Sequence, residues 1–185
     1  MAINFPEGTQ NLPAYATHCV YAQSNAVQIQ SIGNYVTELA NYQLNNIEIR
    51  NSTDVVHLQC RIYNYPSDYG DEFGYGWQYR TTGGWALVDQ NNTRGVANGS
   101  RPGACHATHE HSPGHGEPAD IWGVMWKPGF ASTSTDVRPC IIGHGNTGGS
   151  IYINAFVAGY SDGGTWNIRS SSYAMATVYT TDGVN

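Results

Sequence analysis

Positive charge is scarce in this chain of 185 residues, which has a single lysine, Lys127, and only eight lysines and arginines together. Charged residues make up 12% of the sequence, half of the roughly 25% that is usual in soluble domains. The formal net charge is −6, and no basic cluster could neutralise a run of phosphates. The composition therefore argues against binding to nucleic acid or to an anionic membrane surface.

Long apolar runs and a CxxC pair are also missing. No segment approaches the roughly 20 consecutive apolar residues that a membrane-spanning helix needs, and the opening MAINFPEGTQ lacks the basic and apolar regions of a signal peptide. The cysteines, at positions 19, 60, 105 and 140, are far apart in the sequence. We expect a protein that is made in the cytosol with free thiols, the alternative being disulfides.

Helix signals are few, and the hydrophobic pattern is that of β-strands. Apolar and polar side chains alternate from Val56 to Ile62 in DVVHLQCRIY, and again in SIYINAFVAGY at 150–160, which is the period of a strand with one buried face. YVTELANYQL at 35–44 has an amphipathic helix as an alternative, but the β-rich surroundings favour a strand. Further strands are predicted at 26–32, 35–40, 44–50, 74–80, 85–89, 120–127, 136–143, 165–169 and 173–180.

Polar segments rich in glycine, such as YPSDYGDEFG, TTGG and SDGG, separate these predicted strands and supply turn chemistry. Many short strands at this spacing predict an all-β fold, a jelly-roll-like antiparallel β-sandwich. Residues 1–14 hold two prolines and no strand or helix period, which is typical of an extended segment. We therefore predict an extended N-terminal arm at 1–14 and a single β-sandwich domain at 15–185.

Four of the seven histidines lie in HATHEHSPGHGEP at 106–118. On a strand, His109 and His111 would share one face about 7 Å apart. Three chains around a three-fold axis could then offer six imidazole nitrogens to a transition metal such as iron, nickel or zinc. The alternative is a solvated polar loop whose histidines bind no metal. Other candidate ligands are Cys105, His106, His115, Glu117 and His144.

Catalytic motifs are missing from the sequence. The segment 109–113 begins like the zinc-protease motif HExxH, but Pro113 occupies the position of the second histidine, and proline does not fit the helix that carries that motif. Ser150, near His144, lacks the Gly-x-Ser-x-Gly elbow of hydrolases. The adjacent carboxylates at 71–72 cannot face one another as a glycosidase pair does. We predict that the protein is not an enzyme.

Seven aromatic residues crowd into positions 63–79, among them Tyr75, Trp77 and Tyr79. Aromatic rings stack on sugars and give rigid contact area, so one interpretation is a surface that binds carbohydrate or protein. The other, which we favour, is that the alternating rings cover the core or a subunit interface, where large aromatics are common.

Lysines on exposed strand edges commonly prevent molecules from pairing through those edges, and this chain has one lysine. Its strand edges must be covered either by loops or by other subunits. Since closed symmetric assemblies are the norm among soluble oligomers, we predict a ring-like homo-oligomer.

The opening MAINFPEGTQNLP is similar to the N-terminal arm of structural proteins from tailed bacteriophages, especially those of cyanobacteria and other marine bacteria. In that group a β-sandwich domain follows the arm. Where the group usually has Met-Glu in its last strand, this chain has Thr177-Val178. Other segments that resemble the group are YVTELANYQLNNIEIRNST, VVHLQCRIY, WKPGFASTSTDVRPCIIGH, GGSIYINAFVAGYSDGG and SSSYAMATVY.

The resemblance implies a non-enzymatic virion protein, assembled in the host cytoplasm, that forms a homotrimer. It would be a capsid decoration (cement) protein or a component of a surface fibre, with the major capsid protein or a tail protein as partner. It brings no catalytic residue and no cofactor. The alternative is a carbohydrate-binding host-receptor module of a tail fibre, which would bind a host surface glycan through the aromatics at 63–79.

Overall fold

A computed structural model describes residues 15–24, 28–31, 36–66, 72–88, 106–109, 117–118, 122–143, 150–154 and 171–180. Within these ranges the chain forms β-strands that pair antiparallel throughout, and one turn of 3-10 helix at Ala40–Tyr42. The strands are β1 (Tyr15–Ser24), β2 (Gln28–Ser31), β3 (Val36–Glu38), β4 (Leu44–Ile49), β5 (Val55–Arg61), β6 (Tyr63–Pro66), β7 (Glu72–Thr81), β8 (Gly84–Leu87), β9 (His106–His109), β10 (Glu117–Pro118), β11 (Trp122–Trp126), β12 (Ser132–Gly143), β13 (Ser150–Ile153) and β14 (Ser172–Thr180).

The first sheet has the strand order β1-β14-β5-β11. In β5 the side chains of Val56, Leu58 and Cys60 are fully buried, while those between them stay partly exposed. Because successive side chains point to opposite faces of a strand, this alternation places one face of the sheet on the core and leaves the other outside. The period-2 prediction for DVVHLQCRIY is therefore confirmed.

The turn between β4 and β5 is closed by a buried carboxylate. Asp54 Oδ2 accepts hydrogen bonds from the backbone N–H groups of Arg50 at 2.9 Å and of Asn51 at 3.1 Å. The backbone N–H of Asp54 in turn donates to the Asn51 carbonyl at 3.1 Å. Aspartate at such a position satisfies backbone donors that a tight turn leaves without a strand partner.

The second sheet has the order β3-β12-β7-β8, with β4 also paired to β12 and β9 also paired to β7. The β4–β12 ladder is irregular around Asn46, whose φ of 59° is in the left-handed region. Asn46 N donates to Asp136 Oδ1 at 3.1 Å, and its side-chain oxygen accepts from the Ser134 hydroxyl at 2.9 Å. Asparagine tolerates this conformation better than most residues, and two β12 side chains hold it there.

A third, smaller sheet has the order β10-β6-β13-β2. The core lies between the first and second sheets, where β4 packs against β1 and β14. Fully buried side chains from all three sheets join one cluster, including Trp77 of β7, Trp126 of β11, Leu58 of β5 and Ile151 of β13. Burying each such side chain contributes roughly 1.5–3 kcal/mol, so this cluster is the main source of stability.

The predicted antiparallel β-sandwich is confirmed, while the jelly-roll connectivity and the single domain at 15–185 stay predictions. In YVTELANYQL the preference for strand is confirmed, with the 3-10 turn separating β3 from β4. Four strands, β1, β6, β9 and β10, were not predicted, and β6 includes Tyr65 and Pro66 of the segment YPSDYGDEFG that was predicted as a turn. The arm at 1–14 and the strand at 165–169 lie outside the described residues.

Cys19, Cys60 and Cys140 form no disulfide in the described part of the chain, in agreement with the expectation for these three. No helix among the described residues is long and apolar enough to cross a membrane.

Candidate interaction surfaces

The outward face of the first sheet carries the exposed large hydrophobic side chains of the described residues. Tyr21 of β1 is 54% exposed and Met125 of β11 is 53% exposed. Tyr21 stacks on Tyr173 of the neighbouring β14, with ring centroids 5.8 Å apart. Contact of these side chains with another molecule would remove their apolar surface from water.

The two strands that carry these side chains are the outermost strands of the first sheet. Neither β1 (YATHCVYAQS) nor β11 (WGVMW) contains a charged residue. Val20 and Ala22 of β1 and Val124 of β11 face the core, yet they are only partly buried. The inward residues of the central strands are fully buried, so it is at the two edges that the apolar layer is incompletely covered.

The strand register places Cys19, Thr177, His57 and Met125 on one row across the sheet. Beside this row, Gly123 permits a close approach of β11 to β5. A Cβ at Gly123 would lie 2.7 Å from the Leu58 carbonyl oxygen and 3.1 Å from His57 Nε2. The absence of a side chain is therefore required for this pairing of β11 with β5.

A second surface feature lies on the second sheet around Trp85 of β8. The guanidinium carbon of Arg138 is 3.9 Å from the indole centroid, and that of Arg80 is 5.5 Å from it. Arg138 Nε donates to Gln78 Oε1 at 2.9 Å, and Arg138 Nη1 lies 4.0 Å from Glu38 Oε1. Burial lowers the pKa of the Arg138 guanidinium, and the Glu38 carboxylate opposes that shift. These contacts hold the Arg138 guanidinium in place, whereas the Arg80 side chain is exposed.

A buried polar junction connects the first and third sheets. The Asn154 side-chain amide donates to the Tyr42 hydroxyl at 2.5 Å and to the Ser24 carbonyl at 3.0 Å. The Ser172 hydroxyl donates to Asn154 Oδ1 at 2.6 Å and accepts from the Tyr63 N–H at 2.8 Å. These hydroxyl and amide groups satisfy one another, which is what buried polar groups require, so we interpret the junction as structural.

Burial raises the pKa of the Tyr42 hydroxyl, while its hydrogen bonds with Ser172 and Asn154 lower it by less. Burial also raises the pKa of Tyr75 well above its usual range. Both phenols therefore stay protonated in the folded chain to a higher pH than an exposed tyrosine does.

The three predicted aromatic residues, Tyr75, Trp77 and Tyr79, differ in how far they are buried. Tyr75 and Trp77 are fully buried in the core, whereas Tyr79 is partly buried and packs against Trp126 and Phe130 with centroids 5.0 and 6.1 Å away. The prediction of a ligand-binding surface is corrected for Tyr75 and Trp77, because neither ring has a face open to a ligand. Their alternation points them at the core, as the favoured interpretation had it.

The metal prediction falls mostly outside the described residues. His109 ends β9, which pairs with β7 so that His109 is opposite Glu72. His111 lies outside the described residues, and so do Cys105, His115 and His144. Within the described ranges no group of three or more metal-binding side chains occurs. A metal held by His109 and His111 stays a prediction.

Tyr21, Met125 and Trp85 are not among the site residues predicted from the sequence. Tyr21 lies in a strand whose two faces differ little in polarity, so the period-2 signal is weak there. Met125 belongs to WGVMW, in which both faces are apolar. The sequence feature that could have marked Tyr21 and Met125 is the absence of charged residues from their strands, β1 and β11.

Comparison with known proteins gives no family: no family model matches the chain, and no curated protein matches it. Among solved structures, the chain is similar to the VP2 subviral particle of infectious bursal disease virus, with 9% identity and a TM-score of 0.38 over 90% of this chain and 39% of that one. It is also similar to the structure of the Gt strain of that virus, with 12% identity and a TM-score of 0.39 over 90% of this chain and 41% of the other. The chain thus spans about two fifths of the length of the chains it matches.

Proposed function

We propose that this chain is a non-enzymatic structural protein of a virion, in which it forms a homo-oligomer, a trimer in the simplest closed ring. The observation that carries the proposal is the first sheet, whose two uncharged outer strands hold the exposed Tyr21 and Met125. Strand edges without lysine or proline are sites where chains associate, and among the described residues no further strand pairs with the outer side of β1 or β11.

The composition supports the same conclusion. A surface poor in charge, with Tyr21 and Met125 exposed on the first sheet, suits a protein that is surrounded by others in an assembly. The N-terminal segment MAINFPEGTQNLP, similar to the arm of tailed-phage proteins, favours a capsid decoration or surface-fibre role. Copies of the chain and a major capsid or tail protein are the proposed partners.

Sedimentation velocity of the purified full chain at micromolar concentration tests the oligomer. We expect a particle of three chains of 20.1 kDa each. A single species of one chain would contradict the proposal. Density-gradient centrifugation of a lysate from virus-producing cells tests the location: the protein should sediment with virus particles, and recovery only from the soluble fraction would exclude a virion role.

The surface around Trp85 favours a second candidate function, binding of a host glycan. An indole ring with a guanidinium donor beside it combines stacking with hydrogen bonding, the two contacts that sugar rings use. The glycan hypothesis therefore moves from the buried Tyr75 and Trp77 to Trp85 and the exposed Arg80. On a glycan array, saturable binding should be lost in Trp85→Ala and kept in Thr82→Ala, which alters an exposed residue of the nearby turn. No saturable binding by the unaltered chain would end this hypothesis.

A further inference from the structure

We propose that the surface around Trp85 binds an acidic sugar, a pyranose that carries a carboxylate on a ring carbon. Arg80 pairs with the carboxylate, and the indole of Trp85 packs against the sugar ring. This inference rests on the second candidate function, glycan binding, and specifies the chemical class of the glycan.

The strand register brings Arg80 and Trp85 together on the outer face of the second sheet. In β7, Trp77 is fully buried, so the alternation of a strand turns Gln78 and Arg80 away from the core. Arg80 is directly opposite Trp85 of β8, and the side chains of such a pair lie side by side on one face. Arg80 is exposed and Trp85 is partly exposed, so one ligand can reach both from solvent.

Arg138 of β12 reaches the same indole but already has its partners within the chain. It is opposite Gln78 in the β12–β7 ladder and donates from Nε to Gln78 Oε1 at 2.9 Å. Its Nη1 lies 4.0 Å from Glu38 Oε1, and its side chain is only 13% exposed. With its guanidinium carbon 3.9 Å from the indole centroid, Arg138 supports the ring and leaves ligand binding to Arg80.

Arg80 has no such carboxylate. Among the described residues no acidic side chain forms an ion pair with it, although its guanidinium carbon is 5.5 Å from the same indole centroid. Burial, and to a smaller extent the charge of Arg80, lower the pKa of Arg138, so the two cations repel each other. Two guanidinium groups against the one carboxylate of Glu38, in a chain of net charge −6, make this surface a local site for an anion.

Charge complementarity at Arg80 favours a carboxylate over a neutral hydroxyl group. The planar guanidinium offers two parallel N–H groups to a carboxylate, and such charged hydrogen bonds are roughly twice as strong as neutral ones. A carboxylate also offsets the repulsion between Arg80 and Arg138, which a hydroxyl group cannot do. We therefore expect acidic sugars to bind more tightly than neutral sugars of the same shape.

The indole distinguishes a sugar from a small anion. The apolar face of a pyranose packs against an aromatic ring, and a phosphate or sulfate ion has no such face. In uronic acids and in sialic acids the carboxylate carbon is bonded directly to the sugar ring. The separation of 5.5 Å between the Arg80 guanidinium carbon and the Trp85 centroid suits a ligand that presents both groups within one sugar residue.

A glycan array with matched pairs tests the class of sugar. Glucuronate oligosaccharides are printed beside their carboxyl-reduced forms, in which each carboxylate is replaced by a hydroxymethyl group, and sialyllactose is printed beside lactose. We expect saturable binding to an acidic member, roughly tenfold tighter than to its neutral counterpart, and the member bound identifies uronic or sialic acid as the source. Equal binding of both members, lost in Trp85→Ala, would refute this inference and leave glycan binding intact. No binding to any glycan would refute both.

Two arginine variants with the same change of charge separate the site from long-range attraction. Arg80→Gln should bring the affinity for the acidic member down to that for the neutral member. Because Arg80 is exposed, this variant should keep the urea unfolding midpoint of the unaltered chain. Arg50→Gln, whose arginine side chain is 53% exposed beside Glu48, is the control and should bind as the unaltered chain does. Equal losses in both variants would overturn the proposal, since they would show attraction by net charge alone.

Polyglutamate tests whether an acidic peptide is the ligand instead. It carries carboxylates without a sugar ring, so at the same concentration of carboxylate groups it should not displace the bound acidic glycan. Displacement by polyglutamate, together with direct binding of polyglutamate that Arg80→Gln abolishes, would overturn the proposal in favour of an acidic peptide.

Discussion

The guanidinium of Arg138 stacks on the indole of Trp85, with its central carbon 3.9 Å from the ring centroid. A cation over an aromatic face contributes roughly 0.5–2 kcal/mol, more when it is shielded from water, and the Arg138 side chain is 13% exposed. We expect a double-mutant cycle of Arg138→Met and Trp85→Leu, measured by urea unfolding, to give a coupling free energy of about 1 kcal/mol. The matched cycle of Arg80→Met and Trp85→Leu should give less, since Arg80 is 5.5 Å from the ring. Equal couplings would contradict the proposed difference.

Asn154 has a φ of 59° and uses its side chain in the buried junction. Asn154→Gly keeps the backbone conformation but leaves the Ser24 carbonyl and the Tyr42 and Ser172 hydroxyls with fewer partners, so it should lower the free energy of unfolding by about 1–3 kcal/mol. Asn154→Ala adds the strain of a left-handed backbone, a further 1 kcal/mol or so. Urea unfolding of both variants measures the two contributions. If Ala were as stable as Gly, the backbone would carry no strain here.

Alkaline pH should unfold the chain through its buried phenols. Burial raises the pKa of Tyr42 and of Tyr75 in the folded chain, while in the unfolded chain both would ionise near the ordinary value of 10.0. Above that value the unfolded state binds fewer protons than the folded state, so stability falls as the pH rises, by about 1.4 kcal/mol per pH unit for each group. Below it these groups contribute no pH dependence.

Urea unfolding at a series of pH values on both sides of 10.0 checks this expectation. Tyr42→Phe removes one of the two titrating groups, so its stability should fall less steeply with pH than that of the unaltered chain. Identical slopes would show that Tyr42 is ionised as easily in the folded chain as in the unfolded one.

Two glycines in strands should respond differently to alanine. At Gly123 an added Cβ would meet the Leu58 carbonyl oxygen at 2.7 Å, and the backbone cannot yield without disturbing the β11–β5 ladder. At Gly76 the Cβ would meet the Ile142 Cδ1 atom at the same distance, and the end of a side chain can rotate away. We expect Gly123→Ala to cost about 1–3 kcal/mol and Gly76→Ala to cost less. Thermal unfolding of both variants measures the order, which the reverse result would contradict.

The strands that the sequence predicts correctly are those with one solvent-exposed face and one buried face. In β5 the alternation from Val56 to Ile62 allows one assignment of the side chains that face the core, and the structure has that assignment. β1 lacks this contrast between a polar and an apolar face. Because an edge strand buries its inward side chains only partly, both of its faces can carry polar and apolar residues. β9 is formed by His106–His109, which have little intrinsic preference for a strand, so its pairing with β7 depends on tertiary contacts that no local pattern records.

The site could be predicted less well than the fold for a related reason. Tyr75 and Trp77 alternate with Gly74 and Gly76, and glycine marks neither a core face nor a solvent face, so the pattern alone did not decide which way the rings point. The significance of Trp85 depends on Arg138, which is far from it in the sequence but two strands away in the sheet.

The position of β14 between β1 and β5 governs the order in which the molecule can fold. Thr177 donates a hydrogen bond to Cys19, which is 158 residues earlier in the chain. In a nascent chain β11 can pair with β5, but the strand that joins β1 to β5 is missing until the ribosome has released residues 172–180. Contacts with such long loop closure make folding slow, and unpaired strands are prone to aggregate meanwhile. β14 completes the sheet, and the outer strand β1 can take its place in it only once β14 is present.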